Sequence, residues 1–277
     1  MALSEQRIGE LNELCRNFRL ELMDMLFKAQ SGHPGGSLSV CEILTSLYFV
    51  EANVDPKNPG DVNRDRIVLS KGHAAPMMYI ELAEKGFFAK DELKTLRCID
   101  TRMQGHPSSK NTPGVDLTAG PLGMGLSAGV GMALGLKMKN SPATVYVVLG
   151  DGEINEGTIW EACMSASKFG TDNLIAILDK NNVQLDGTVD EIMPMGDVAA
   201  KFASFGFEVL HCNGHDIAAL CDVIEQAKAV QGKPVMIIAD TVKGKGVSFM
   251  EGQNAWHGKP LSEEDYKQAV KELGREN

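Results

Sequence analysis

Basic charge is in short supply: 27 Lys and Arg face 37 Asp and Glu, for a net charge of −10 at pH 7. No basic stripe is available to neutralise phosphates, so nucleic acid is excluded as the expected partner. Paired cysteines are lacking too. The six present (Cys15, Cys41, Cys98, Cys163, Cys212, Cys221) are scattered without a Cys-x-x-Cys pair. That distribution excludes a disulfide frame or zinc site and predicts reduced core thiols in a cytoplasmic protein. Met1-Ala2-Leu3-Ser4-Glu5-Gln6 lacks a basic segment followed by an apolar run, so no signal peptide is expected. One uncharged run, 117–136, is long enough on paper to span a bilayer. It holds six glycines and Pro121, and its Gly125-x-x-x-Gly129 and Gly131-x-x-x-Gly135 spacing suits close helix packing. With no second candidate span, a buried helix of a soluble protein is predicted.

What is present is alternation of strand and helix. Residues 6–29 read as an amphipathic helix with Ile8, Leu11, Leu14, Phe18, Leu22 and Met25 on one face. The breaker-rich stretch 30–37 predicts a loop, followed by a helix over 39–50 capped by Ser37 or Ser39. A strand is expected at 66–70, helices at 77–85 and 93–96, and a long helix running to 139. Beyond 143 the rhythm is regular: strands near 144–149, 174–179, 207–210 and 235–241, helices near 155–168, 196–205 and 216–230, and a closing helix over 262–273. This is the pattern of an α/β, doubly wound, mostly parallel sheet with helices on both faces. No repeat or flexible linker divides it, and residues 1–277 are expected to form a single domain.

Two strand ends carry the chemistry. Thr144–Leu149 leads into Gly150-Asp151-Gly152, and Leu174–Leu178 delivers Asp179 and Asn181 to the same edge, where open α/β sheets bind ligands. Asp151, the Asn181 amide and the Val183 carbonyl are hard oxygen donors, too few to fill a metal's shell alone. They suit an Mg²⁺ ion shared with a bound phosphate. The glycines beside Asp151 allow a diphosphate to approach the backbone closely. Four histidines, His33, His73, His106 and His257, each sit beside glycine in loops, whereas His211 and His215 read as surface or satisfied core. Spacing alone leaves open whether the four loops converge.

The Gly-Asp-Gly and downstream Asn pair resembles the thiamine diphosphate motif. Ser31-Gly32-His33-Pro34-Gly35-Gly36, Leu69-Ser70-Lys71-Gly72-His73-Ala74, Gly105-His106-Pro107, Gly120-Pro121-Leu122-Gly123-Met124-Gly125 and Trp256-His257-Gly258-Lys259-Pro260-Leu261 are similar to transketolase motifs, in transketolase order. The resemblance implies metal ligation by Asp151, Asn181 and Val183, with Mg²⁺ (or Ca²⁺ or Mn²⁺ in its place) on the diphosphate. It assigns His73, Gly120, Pro121, Leu122, Asp151, Gly152, Glu153, Asn181, Lys243 and His257 to cofactor binding. His33, His73, His106 and His257 would line the donor-sugar channel and act catalytically. Glu156 and Glu161 match acidic residues near the family's dimer contact. Gly123-x-Gly125 does not open a dinucleotide site, since no strand leads directly into it.

The match covers only the first domain of a transketolase. The second domain, with the glutamate that protonates the cofactor's aminopyrimidine, has no counterpart after Leu261. The resemblance therefore implies the N-terminal subunit of a split enzyme, completed by a C-terminal chain in a heterotetramer of two plus two. That enzyme would transfer a two-carbon ketol unit between sugar phosphates of the pentose phosphate pathway. The alternatives are half of a 1-deoxy-xylulose-5-phosphate synthase-like or E1 decarboxylase-like enzyme, or a non-catalytic cofactor-binding module.

Overall fold

The computed structural model describes residues 3–275; residues 1–2 and 276–277, part of the expected 1–277 span and of the N-terminal reading, lie outside the described residues. The apolar runs form five strands, β1 (Arg66–Leu69), β2 (Val145–Gly150), β3 (Leu174–Lys180), β4 (Glu208–Asn213) and β5 (Val235–Asp240). They build one sheet in the order β1-β2-β3-β5-β4, with every pairing parallel. β2 is buried throughout and β3 is buried to its last residue but one, as strands covered on both faces must be. Successive side chains alternate between two cores. Tyr146, Val148, Ile175, Ile177 and Ile237 enter one, and Val145, Val147, Leu174, Ala176 and Leu178 the other.

Strand order decides which helix covers which face. From β1 through β4 the chain moves one way across the sheet, so the right-handed crossovers put α5 (Met124–Met138), α6 (Gly157–Lys168) and α8 (Val198–Ser204) on the same side. The step from β4 back to β5 reverses direction and puts α9 (Ile217–Lys228) on the opposite side. There it packs with α1 (Glu5–Ala29), α3 (Cys41–Ser46), α4 (Ala75–Lys85) and α10 (Glu263–Glu272). The doubly wound expectation holds. Ser4 caps α1 by accepting from the Arg7 N–H, and Ser262 and Asp265 form a capping box on α10.

Several local expectations fail for identifiable reasons. The stretch expected to be a loop before Ser37 contains α2 (Pro34–Ser39), because Pro34 occupies the first helical turn, where its missing N–H costs nothing. Ser37 and Ser39 are therefore inside a helix and cap none, and the helix expected over 39–50 is broken into α3 and a π-helical turn, Leu47–Glu51. A short helix, α7 (Val189–Ile192), stands in a stretch for which no element is expected, although Thr188 and Glu191 spell its capping box. The expected buried helix at 117–136 is helical only from Met124 and half-covered: Gly125 and Gly129 face the core, while Met124 and Met138 are exposed. Among the described residues no helix is long and apolar enough to cross a membrane. All six cysteines are free, but Cys98 is exposed and Cys212 half-buried, so the expectation of core thiols holds for the other four.

Ile177 lies at the centre of β3, fully buried. Ile177→Ala is expected to lower unfolding free energy by about 2–5 kcal/mol, measured by urea denaturation.

Candidate active site

Register brings the strand ends together. Leu69 pairs with Val148, Gly150 with Asp179, and Lys180 with Asp240, so the segments after β1, β2, β3 and β5 leave the same edge of the sheet. A cavity of about 400 Å³ opens there, bordered by Gly36, Lys71, His73, Leu122, Gly150–Glu153, Asn181, Val183–Asp186, Met193, Lys243 and His257.

Its floor is a buried ion pair. Lys71, following β1, contacts Asp179 on β3, and both are all but inaccessible to water. The Lys71 ammonium also donates to the Gly36 carbonyl at 3.0 Å. Asp179 accepts from the Ser39 hydroxyl at 2.6 Å and from the Thr241 hydroxyl. Burial works to raise the Asp179 carboxyl, but Lys71 holds it below the usual carboxylate range. Asp179 is thus committed beneath the cavity and does not join Asn181 at the ligand edge.

Above the floor lie the oxygen donors. Asp151 accepts from the Gly152 N–H at 2.8 Å and from the Asn182 N–H; Asn182 adopts φ 62°. Such a left-handed conformation at a non-glycine residue is the kind of strain that collects at ligand sites. Asn181 Oδ1 accepts from the Val183 N–H at 3.1 Å, and the Val183 carbonyl accepts from the Lys243 ammonium at 3.0 Å. Burial, with the Asp179 charge nearby, pushes Asp151 up to about 6. A buried carboxylate held up in this way is one that a cation relieves.

Four imidazoles meet at the mouth. The His33 ring lies 5.5 Å from His73, 5.9 Å from His106 and 5.5 Å from His257, and His73 and His257 are 4.9 Å apart. The convergence that spacing left open is present. Burial, assisted by Arg97, lowers His33 to about 4; burial, assisted by Lys243, lowers His257 to about 3. His73 is held well down by burial and Lys71, and His106 is lowered by burial and Arg97. All four rings are neutral at pH 7 and can both donate and accept. His33 Nδ1 is buried without a hydrogen-bond partner, so the cluster keeps one polar atom in reserve.

Glycines let these groups approach. A side-chain carbon on Gly36 would lie 3.0 Å from His73 Nε2, and one on Gly35 would lie 2.9 Å from the Trp256 carbonyl and 3.0 Å from Lys243 Cγ. The first turn of α2 is bare so that His73 and Lys243 can lie against it.

Not every expected site residue borders the cavity. Leu122 does, but Gly120 and Pro121 sit on the loop beside it, and His33 and His106 belong to the outer histidine cluster. Glu153 lines the cavity wall, yet its carboxylate is already used. One oxygen accepts from the Gly123 N–H at 2.8 Å and from Ser70, and the other from the Gly150 N–H at 3.0 Å. It holds three loops together at the cavity wall. Glu156 borders the cavity from its exposed rim, and Glu161 lies exposed on α6, outside the lining. Lys71, Gln184 and Arg97 were missed by sequence reasoning. A lysine directly after a buried strand and before Gly-His was the available signal for Lys71; Arg97 gave none.

Asp151 after β2 and Asn181 and Val183 after β3 offer a metal three hard oxygens at two adjacent strand ends, and Lys71, Lys243 and the histidines suit an anion beside it. The residues fit a metal-bound diphosphate. The family model "Transketolase, thiamine diphosphate binding domain" matches residues 11–277. The chain is 46% identical to a 6-deoxy-6-sulfo-D-fructose transketolase subunit of a Clostridium strain, covering 99% of both chains. It is 40% identical to a subunit of the apulose-4-phosphate transketolase of Phocaeicola vulgatus, over 92% of this chain and 90% of that one. It superposes on the transketolase of Campylobacter jejuni with a TM-score of 0.91 at 36% identity, covering 98% of this chain but 43% of the other. The chain belongs to the transketolase family and carries its thiamine diphosphate-binding domain. It spans about two fifths of the solved transketolases it matches.

Asp179→Asn leaves Lys71 buried without its counter-charge and is expected to cost about 3–5 kcal/mol in urea unfolding, most of it recovered in Lys71→Met/Asp179→Leu. His33 gives a pH prediction. Its folded value, about 4, lies below the ordinary 6.5, so its contribution to stability is present above pH 6.5 and lost as pH falls toward 4. The urea midpoint of His33→Phe should fall less between pH 7 and 4.5 than that of the wild type.

Proposed function

We propose that this chain is the diphosphate-binding subunit of a two-chain transketolase, transferring a two-carbon ketol unit from a ketose phosphate to an aldose phosphate. The observation that carries this reading is the meeting of four imidazoles with the Asp151, Asn181 and Val183 oxygens at one sheet edge. In this reading Asp151, Asn181 and the Val183 carbonyl hold Mg²⁺ (Ca²⁺ or Mn²⁺ can substitute). His73, Lys243 and His257, with Leu122 and Gly152, receive the diphosphate. Thiamine diphosphate, when bound, supplies the stabilised carbanion that ketol transfer requires. His33, His73, His106 and His257 orient the sugar hydroxyls and move protons between them and the reacting carbonyl. As neutral rings they can accept a proton at one step and return it at the next.

The family's second domain, with its activating glutamate, is supplied here by a separate C-terminal chain, and two copies of each make a heterotetramer in the cytoplasm. Uncovered surface on α5 and α6 supports this. Gly131 and Gly135 on α5 have open space over them, and Met124, Met138 and Met164 are exposed. Pentose phosphates are the default substrates. Because relatives are named for a sulfo-sugar and for apulose 4-phosphate, both should be assayed beside xylulose 5-phosphate.

The test is proton–deuterium exchange at C2 of thiamine diphosphate with Mg²⁺, with this chain alone and with the chain that co-purifies from its source. Slow exchange alone and fast exchange with the partner are expected; fast exchange alone would sink the two-chain reading. Asp151→Asn should weaken Mg²⁺-dependent cofactor binding at least tenfold, measured by calorimetry, as expected for loss of the only charged ligand.

A further inference from the structure

On the side of the 242–246 loop away from the cavity lies a buried polar chain that none of these roles uses. Glu42 on α3 pairs with Arg19 on α1, Nη1 to Oε1 at 2.7 Å and Nη2 to Oε2 at 2.8 Å. Glu42 Oε2 also lies 2.9 Å from His215 Nδ1, in the loop between β4 and α9. The Val242 N–H donates to His215 Nε2 at 2.8 Å, so that nitrogen carries a lone pair and the ring proton sits on Nδ1, donated to Glu42. Arg19 Nε donates to the Lys245 carbonyl at 3.0 Å and Nη2 to the Leu38 carbonyl at 3.3 Å. The Arg19 and Glu42 side chains are each less than a tenth exposed. Burial would raise the Glu42 carboxyl, but Arg19 and the His215 N–H hold it down to about 2.

These bonds fall on either side of Lys243. His215 takes the N–H of residue 242, and Arg19 takes the carbonyl of residue 245. Between them the Gly244 N–H donates to the Gly35 carbonyl at 3.0 Å and the Gly252 N–H to the Lys243 carbonyl at 2.9 Å. Gly244 sits at φ 80°, and a side-chain carbon there would come 2.4 Å from the Met250 carbonyl. The loop therefore has one course. The Lys243 side chain leaves it toward the cavity, where its ammonium reaches the Val183 and Gln184 carbonyls and His257 Nδ1, at 3.0, 3.3 and 3.0 Å.

We infer that Arg19, Glu42 and His215 form a positioning relay that aims Lys243 at the diphosphate subsite, with His215 the member that touches the loop next to it. The inference rests on the proposed cofactor role of Lys243. His215, expected to be a surface or satisfied core residue, is satisfied, and what satisfies it is the backbone of the cofactor loop.

The test is a double-mutant cycle on binding of magnesium thiamine diphosphate to the complex of this chain with its co-purifying partner, followed by tryptophan fluorescence, with hydrogen exchange of segment 241–252 in the cofactor-free protein. His215→Leu should speed that exchange and weaken binding about tenfold, the scale of one lost hydrogen bond at a site that needs it. Lys243→Met should weaken binding similarly, and the double variant should bind no worse than Lys243→Met alone. His215→Gln, whose amide can accept from Val242 and donate to Glu42, should bind within threefold of wild type. Additive losses, or unchanged exchange and affinity in His215→Leu, would overturn the relay. If His215→Leu does not fold, Glu42→Gln takes its place with the same expectations. A wild-type two-chain complex that binds no cofactor would count against the cofactor reading, and the exchange comparison would then decide on the clamp alone.

Discussion

The Lys71–Asp179 pair carries more of this structure than any other contact. It joins the end of β1 to β3, and through Ser39, Thr241 and the Gly36 carbonyl it draws in α2 and the end of β5. Four segments are fixed at one height by a single buried charge pair. Such a pair is weak evidence for stability, because desolvation offsets the attraction, but breaking it strands a charge. Its worth lies in geometry. The segments after β1, β2, β3 and β5 leave the sheet close to it, and α2 with Gly36 and the loop carrying Leu122 come in from the helical layers.

The same pair shapes the electrostatics above. Asp179 answers Lys71, whereas Lys243 meets carbonyl oxygens and an imidazole nitrogen. Burial and the Lys71 charge lower its ammonium to about 8. The cavity is therefore biased toward anions while one corner holds Asp151, and burial disfavours charge on the histidines between the two. A protonated imidazole only donates; a neutral one donates and accepts. A mouth built of such rings can therefore meet hydroxyl groups in either role.

Much of this was legible because local chemistry and global fold agree. Two apolar strands followed by Gly-Asp-Gly and by Asp-Lys-Asn-Asn pointed to one sheet edge, whereas the glycine–histidine loops left open the convergence that the four rings show. The failures are also physical. Pro34 reads as a breaker but starts a helix, since a proline at the first turn loses no hydrogen bond. Asp179 looked available to a ligand, yet it is neutralised by a lysine 108 positions away, and nothing in the sequence showed that Glu153 accepts from Ser70 and the Gly123 N–H. Partners so distant in sequence leave no periodic trace. His215 was legible as satisfied, but not by what.

The strand order bears on how the molecule is made. β5 is the last strand in the chain but lies between β3 and β4. A chain emerging from the ribosome thus presents β4 before β5, the strand it pairs with, has been made, and Thr241, Lys243 and His257 arrive later still. Contacts spanning so much sequence form slowly, and domains fold as units. No truncated nascent chain holds the cavity, so cofactor loading waits until synthesis of this segment is essentially over.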